Sequence, residues 1–127
     1  MYWIIGRKSQ LSLASNLLVY KAILKPIWTY GIQLWGTASN SNIDTLERFQ
    51  SKVLRIITDA PWYVTNAVLI KHDLQVLSVR QEVRTFSVTY HARLEGHPND
   101  VATSLLQQPP HNHRLKRYYP ADLDTRF

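Results

Sequence analysis

The chain has 127 residues, of which 45% are hydrophobic, and this composition predicts one globular domain with a packed core. The absence of cysteine excludes disulfides, thiolate metal sites and cysteine nucleophiles, and it is typical of a cytosolic or nuclear protein. The formal net charge of +6 favours a polyanionic partner such as nucleic acid, although charge alone does not establish one.

The first two helices are predicted from apolar residues that recur every three or four positions. The first helix covers about residues 11–25, and Pro26 should stop or kink it because proline lacks an N–H and clashes with the preceding turn. The second helix, residues 26–35, is apolar on nearly every side, so we expect it to be buried, with Gly36 at its end. Its aromatic residues Trp28, Tyr30 and Trp35 are therefore assigned to the core.

The third predicted helix follows a polar loop. Ser41 and Asp44 have the spacing of a capping box, and an apolar stripe then continues to Thr58. The helix should stop at Asp59, because the residues that precede Pro61 avoid helical geometry.

The fourth predicted helix begins after Ser78, which together with Gln81 resembles a cap, and it ends at Gly96. Shorter helices are expected at residues 66–72 and 99–107. The predicted fold is thus all-α, a small bundle of four or five helices with an extended C-terminal tail. The predicted domains are a helical domain over residues 1–107 and a basic, proline-containing tail over residues 108–127.

The uncharged stretch of residues 26–43 has the length of a membrane-spanning helix, but its polar residues at 37–42 argue against one. The amphipathic pattern also predicts a single shared core. Its members are Leu17, Ile23, Trp28, Trp35, Phe49, Val53, Ile57, Phe86 and Tyr90.

Residue types that could support catalysis are scattered. The close acidic pair Asp122 and Asp124 and the histidines His111 and His113 lie in the predicted tail, where a solvated turn is a better interpretation than a metal site. The four glycines do not cluster into a phosphate-binding loop. We therefore assign no catalytic residue, no metal ligand, no cofactor and no small-molecule substrate to this chain.

The basic residues form a more coherent pattern, because several of them recur at helical spacing. Such rows suit contacts to phosphates, although each could equally be an ordinary solvated helix face. Arg80 and Arg84 form one row on the fourth helix. The predicted nucleic-acid-binding residues are Lys21, Lys25, Arg48, Lys52 and Arg55, with Arg114, Lys116 and Arg117 of the tail as weaker candidates.

Four blocks of the sequence resemble a known family. Residues 20–36 (YKAILKPIWTYGIQLWG) resemble a segment found just beyond the polymerase palm in reverse transcriptases of jockey-like non-LTR retrotransposons. Residues 46–64 (LERFQSKVLRIITDAPWYV), 97–102 (HPNDVA) and 114–124 (RLKRYYPADLD) resemble the blocks that follow it. The resemblance therefore extends in order over nearly the whole chain.

The resemblance implies that the chain is a C-terminal fragment containing the thumb of an RNA-directed DNA polymerase, which grips an RNA–DNA or DNA duplex. The catalytic aspartates and their Mg²⁺ would belong to a palm domain that this chain lacks, so the chain alone should be inactive. The missing palm would itself be a partner. Two alternatives stay open: a protein–protein interaction module derived from such an element, and a remnant without function.

Overall fold

The computed structural model describes residues 2–5, 9–61, 63, 71–107, 123 and 127, and it contains no β-strand in these ranges. The prediction of an all-α fold is confirmed. The chain divides into two compact units, each built from two stretches of sequence. Unit 1 comprises Met1–Tyr30 and Thr45–Ser78, and unit 2 comprises Gly31–Asp44 and Val79–Phe127.

The helices of the described residues come in the following chain order. They are α1 (Tyr2–Ile5), α2 (Leu13–Val19), a π-helical turn (Tyr20–Leu24), α3 (Lys25–Thr29), α4 (Ile32–Trp35), α5 (Asn40–Thr58), α6 (Val79–Glu95) and α7 (Asp100–Ser104). Residues 71–73 are also helical, whereas the rest of the helix expected at 66–72 lies outside the described residues.

Of the two outcomes expected at Pro26, a stop or a kink, the structure contradicts the stop. The π-helical turn continues α2 directly into α3, and the N–H of Lys25 donates to the carbonyl of Tyr20, five residues back. Proline has no N–H to donate, and its ring would press against the preceding turn of a regular α-helix. A wider turn immediately before Pro26 relieves this crowding, so the helix passes through the proline.

The π-helical turn also keeps one row of residues in the interior. Asn16, Tyr20, Leu24 and Trp28 are all buried and lie four positions apart. Residues four apart drift around a regular helix of 3.6 residues per turn, and a turn with five-residue hydrogen bonds reduces that drift. The buried row therefore stays aligned along the continuous helix from α2 to α3.

The predicted second helix is broken in its middle. Tyr30 is extended (φ −61°, ψ 129°), and Gly31 follows with φ +65°, a left-handed conformation that glycine adopts without strain. Gly36, after α4, is needed for close packing within unit 2. A Cβ on Gly36 would lie 3.2 Å from both Val83 Cγ1 and Leu123 Cδ1.

Helix α5 begins earlier than predicted, and Ser41 is not its cap. The carbonyl of Ser39 accepts the first helical hydrogen bonds, which places Ser41 inside the first turn. The predicted end at Thr58 is confirmed. Asp59 has φ +50°, and the N–H of Ala60 donates to the carbonyl of Arg55 over 3.1 Å. This is the Schellman pattern of a helix end, so a left-handed residue stops α5 before Pro61 is reached.

The core of unit 1 gathers residues from α1, the π-helical turn, α5 and the segment before α6. It consists of Ile5, Tyr20, Leu24, Val53, Leu54, Ile57 and Val76. Gln50 adds a buried polar link, because its Nε2 donates to Tyr20 Oη (3.1 Å) and to the carbonyl of Leu77 (2.8 Å). These two bonds satisfy the side-chain N–H groups of Gln50, whereas its buried Oε1 has no hydrogen-bond partner among the described residues, so the cost of burial is offset only in part.

In unit 2, α4 packs against α6, and the buried side chains include Ile32, Ile43, Val83 and Leu123. The predicted bounds of α6 agree with the structure. The short helix expected at 99–107 is α7, which begins after Asn99, whose side chain accepts from the N–H of Val101. The predicted domain boundary between residues 107 and 108 stays a prediction.

The predicted core is only partly correct. Trp28, Val53 and Ile57 are buried, and Leu17, Trp35 and Tyr90 are half-buried. The predictions for Ile23, Phe49, Phe86 and Tyr30 are wrong, since these side chains are exposed. Moreover, Trp35, Phe86 and Tyr90 belong to unit 2, so the nine residues do not form the single core that we expected.

Candidate nucleic-acid interface

Helix α5 carries a row of cations on its solvent side, which we call the basic stripe: Arg48, Lys52 and Arg55. Arg48 and Lys52 are exposed and Arg55 is half-buried. At 100° per residue these three positions fall within about 60° of arc, and they span about 10 Å along the helix. The predicted row therefore forms one narrow, positively charged surface on unit 1.

The positive charge of the basic stripe is not cancelled by its neighbours. None of its three cations forms an ion pair with a residue in the described ranges. The two acids of α5 are engaged elsewhere: Glu47 pairs with Lys71 and Asp44 pairs with Arg80. The stripe can therefore offer its charge to an external anion.

Phe49 is the residue of this surface that the sequence analysis missed. It was assigned to the core but is 43% exposed, beside Arg48 and three positions before Lys52. The middle of the buried arc of α5 is instead occupied by Gln50, a polar residue that the apolar pattern passed over. An exposed aromatic ring among cations can stack on a base while the cations hold the backbone. Its position in the sequence between Arg48 and Lys52 could have indicated that Phe49 belongs to this surface.

The predicted cations Lys21 and Lys25 form a second row, on one flank of the helix from α2 to α3. Lys21 is exposed and Lys25 is half-buried. Both belong to unit 1, as does the basic stripe. The tail candidates Arg114, Lys116 and Arg117 lie outside the described residues.

The basic row expected on α6 does not survive as a phosphate-binding surface. Arg80 pairs with Asp44, and its guanidinium lies 5.3 Å from the centroid of the Phe127 ring. Arg84 is exposed, but the other cation of its row, Arg80, is already engaged. Arg80 is therefore a structural residue of unit 2.

Unit 2 also contains a shallow cavity of about 180 Å³. It is lined by Gln33, Thr85, Phe86, Thr89, Tyr90 and Arg93. Small-molecule sites usually enclose about 300–1,000 Å³. The cavity is smaller than that range, so we do not treat it as a substrate pocket.

Comparison with known proteins finds relatives of this chain among RNA-directed DNA polymerases of mobile elements. A probable RNA-directed DNA polymerase from the X-element transposon of Drosophila melanogaster is 43% identical to it over 125 residues, 98% of the chain. The RNA-directed DNA polymerase from the mobile element jockey of Drosophila funebris is 34% identical and covers 97% of the chain. The chain is homologous to one segment of these RNA-directed DNA polymerases. The family resemblance carried by residues 20–36 and the later blocks is confirmed.

This polymerase segment spans only 14% of the X-element and jockey proteins. No protein-family model and no solved structure matches it. In the parts of the segment that the structure describes, no group of three or more His, Asp or Glu could hold a metal ion. Likewise, no helix in these ranges is both long enough and apolar enough to cross a membrane. The candidate pairs His111–His113 and Asp122–Asp124 lie outside them.

Proposed function

We propose that this reverse-transcriptase segment binds the primer–template duplex of a non-LTR mobile element through the basic stripe of α5. The observation that carries the proposal is the row of exposed Arg48 and Lys52 and half-buried Arg55, whose charge no described acid neutralises, with Phe49 at its edge. The relatives are named as polymerases that copy RNA into DNA. No cluster of metal-binding side chains is found among the described residues of this segment, and a surface for holding nucleic acid is what such a segment could contribute to a polymerase.

The dimensions of the stripe suit a nucleic-acid backbone. The three cations span about 10 Å, which is long enough for the row to reach more than one phosphate of a strand. Contacts of this kind fix the position of the protein without reading the base sequence. The proposed surface should therefore accept RNA–DNA hybrid and DNA duplexes of unrelated sequence.

In this proposal a different part of the longer polymerase carries out the chemistry of polymerisation. Two-metal catalysis requires carboxylates that hold ions about 4 Å apart, and we place those carboxylates, with their Mg²⁺, in a palm domain of the longer polymerase. The isolated chain should then show no primer extension with any template. Template-dependent incorporation above that of a heat-inactivated sample would contradict this part of the proposal.

The binding proposal can be tested with two charge-matched variants. Arg48→Gln/Lys52→Gln removes two exposed cations from the basic stripe, and Arg84→Gln/Arg93→Gln removes two exposed cations from α6. Fluorescence anisotropy would measure the affinity of each for RNA–DNA hybrids and DNA duplexes of several sequences. We expect the stripe variant to bind more weakly by a similar factor on every sequence, and the α6 variant to bind nearly as the wild type.

Equal losses in the two variants would mean that only the net charge of the chain matters. Tight binding to a protein partner with little dependence on salt, and no binding to duplexes, would favour the interaction-module alternative. Because exposed charges contribute little to folding, both variants should melt within a few degrees of the wild type.

A further inference from the structure

The helix that runs from α2 through the π-helical turn to α3 has an apolar side whose residues are exposed. We call it the apolar outer face. It is formed by Leu18, Ala22, Ile23, Pro26, Ile27 and Tyr30, all of them exposed. Four of these are large side chains: Leu18 is 66% exposed, Ile23 54%, Ile27 67% and Tyr30 87%.

These residues form a continuous surface because of how the helix is arranged. Residues four positions apart lie in rows along a helix. With the row of Tyr20 and Leu24 buried, the row of Leu18, Ala22 and Pro26 lies on the opposite side, and the row of Ile23 and Ile27 adjoins it. The other flank carries Lys21, Lys25 and Thr29, which border the apolar surface with polar groups.

A helix that faced water here would be expected to carry polar residues on its outer side. Contiguous apolar surface bordered by polar residues usually marks a place where another protein surface packs. The fold of unit 1 uses the opposite side of this helix, where Tyr20, Leu24 and Trp28 are buried. The apolar outer face is therefore available for a partner.

We infer that the apolar outer face packs against the body of the longer polymerase to which this segment belongs. The inference rests on the proposed function, because it requires the chain to work as part of that enzyme. The chain covers 14% of the X-element polymerase, so a protein of that kind holds about seven times as many residues, most of which could supply a covering surface. The partner surface should be apolar, with an acidic group where it meets the exposed Lys21.

The test uses a full-length polymerase. This chain replaces the matching segment of the X-element protein, and a photo-crosslinking amino acid is placed at Ile27 in one sample and at Val88, an exposed residue of unit 2, in another. Irradiation without nucleic acid, followed by mass spectrometry, should link position 27 to peptides of the same polypeptide outside the inserted segment. Position 88 should give at least about tenfold fewer such links. Adding Leu18→Gln/Tyr30→Gln should lower the yield from position 27 by about tenfold, as expected when contacts at the centre of an interface are lost.

Links from position 27 that join two polymerase molecules would overturn the inference in favour of a second copy, and equal yields at positions 27 and 88 would also overturn it. If the chimera does not fold, the crosslinker can be placed in the intact X-element polymerase at the positions that align with Ile27 and Val88. Because no nucleic acid is present, this result is independent of whether the basic stripe binds a duplex. Loss of duplex binding with intact crosslinks would reject the proposed function alone.

Discussion

Helix α5 and the helix from α2 to α3 differ in the polarity of their solvent-exposed sides. Helix α5 buries Val53, Leu54 and Ile57 and turns cations outward, as an amphipathic helix of a small protein is expected to do. The helix from α2 to α3 buries Tyr20 and Leu24 equally well, yet its outer side is largely apolar. Both segments therefore have a well-defined inner side, and they differ only on the outside.

This difference shows that the buried and the exposed residues of a helix follow different requirements. The inner residues serve the fold of the chain itself, whereas we propose that each outer side is suited to a partner outside the chain. For α5 the outer side fits a polyanion, and for the helix from α2 to α3 it fits an apolar protein surface. The predictions below test whether inner and outer residues differ as this comparison requires.

The largest effect is expected at Trp28, which belongs to the buried row and is only 8% exposed. Trp28→Ala should lower the free energy of unfolding by about 3–5 kcal/mol, because the cavity it leaves can collapse only in part. The neighbouring Ile27→Ala should change it by no more than about 0.5 kcal/mol, since Ile27 is exposed. Urea unfolding followed by circular dichroism would measure both. Similar losses would mean that the outer side is buried in the isolated chain.

A smaller loss is expected at Gln50, which links α5 to the rest of unit 1. Gln50→Ala removes its hydrogen bonds to Tyr20 and to the carbonyl of Leu77, both in buried or partly buried surroundings. We expect a loss of about 1–3 kcal/mol in the same unfolding measurement. Lys52→Ala, two residues along the same helix and exposed, serves as the control and should be nearly neutral. A neutral Gln50 variant would show that this polar link does not stabilise the unit.

The sequence predicted the elements that depend on local signals. The end of α5 at Thr58 and the bounds of α6 were correct because a turn or a proline marks each of them. The errors came from packing that no local pattern records. The π-helical turn allowed Pro26 inside a helix, and Gly31 broke the predicted second helix in its middle, although its end at Gly36 was predicted correctly.

The candidate site was predictable in part for the same reason. The spacing of Arg48, Lys52 and Arg55 places them together on any helix, so the sequence was sufficient to find the basic stripe. Phe49 was missed because an aromatic residue at an apolar stripe position was assigned to the core. Which arc of α5 is buried depends on residues distant in sequence, such as Tyr20 and Leu77, that hold Gln50 inside.

The smallest effect is expected at the ion pair between Arg80 and Asp44, whose side chains are 39% and 45% exposed. Arg80→Gln should lower the free energy of unfolding by about 1 kcal/mol or less, as is usual for partly exposed pairs and for cation–π contacts such as the one with Phe127. Its affinity for duplexes should not change, because the guanidinium is already engaged within unit 2. A marked loss of duplex binding would show that Arg80 belongs to the nucleic-acid interface.

The salt dependence of duplex binding tests the central claim most directly. Each phosphate contact that a protein makes to duplex DNA adds about 0.9 to the slope of log K against log salt concentration. If Arg48, Lys52 and Arg55 all contact phosphates, Arg48→Gln/Lys52→Gln/Arg55→Gln should reduce that slope by about 2.7, which is three times 0.9. The slope should be measured by fluorescence anisotropy at several salt concentrations, on wild type and variant alike. An unchanged slope and affinity in the triple variant would show that the basic stripe is only a solvated helix face.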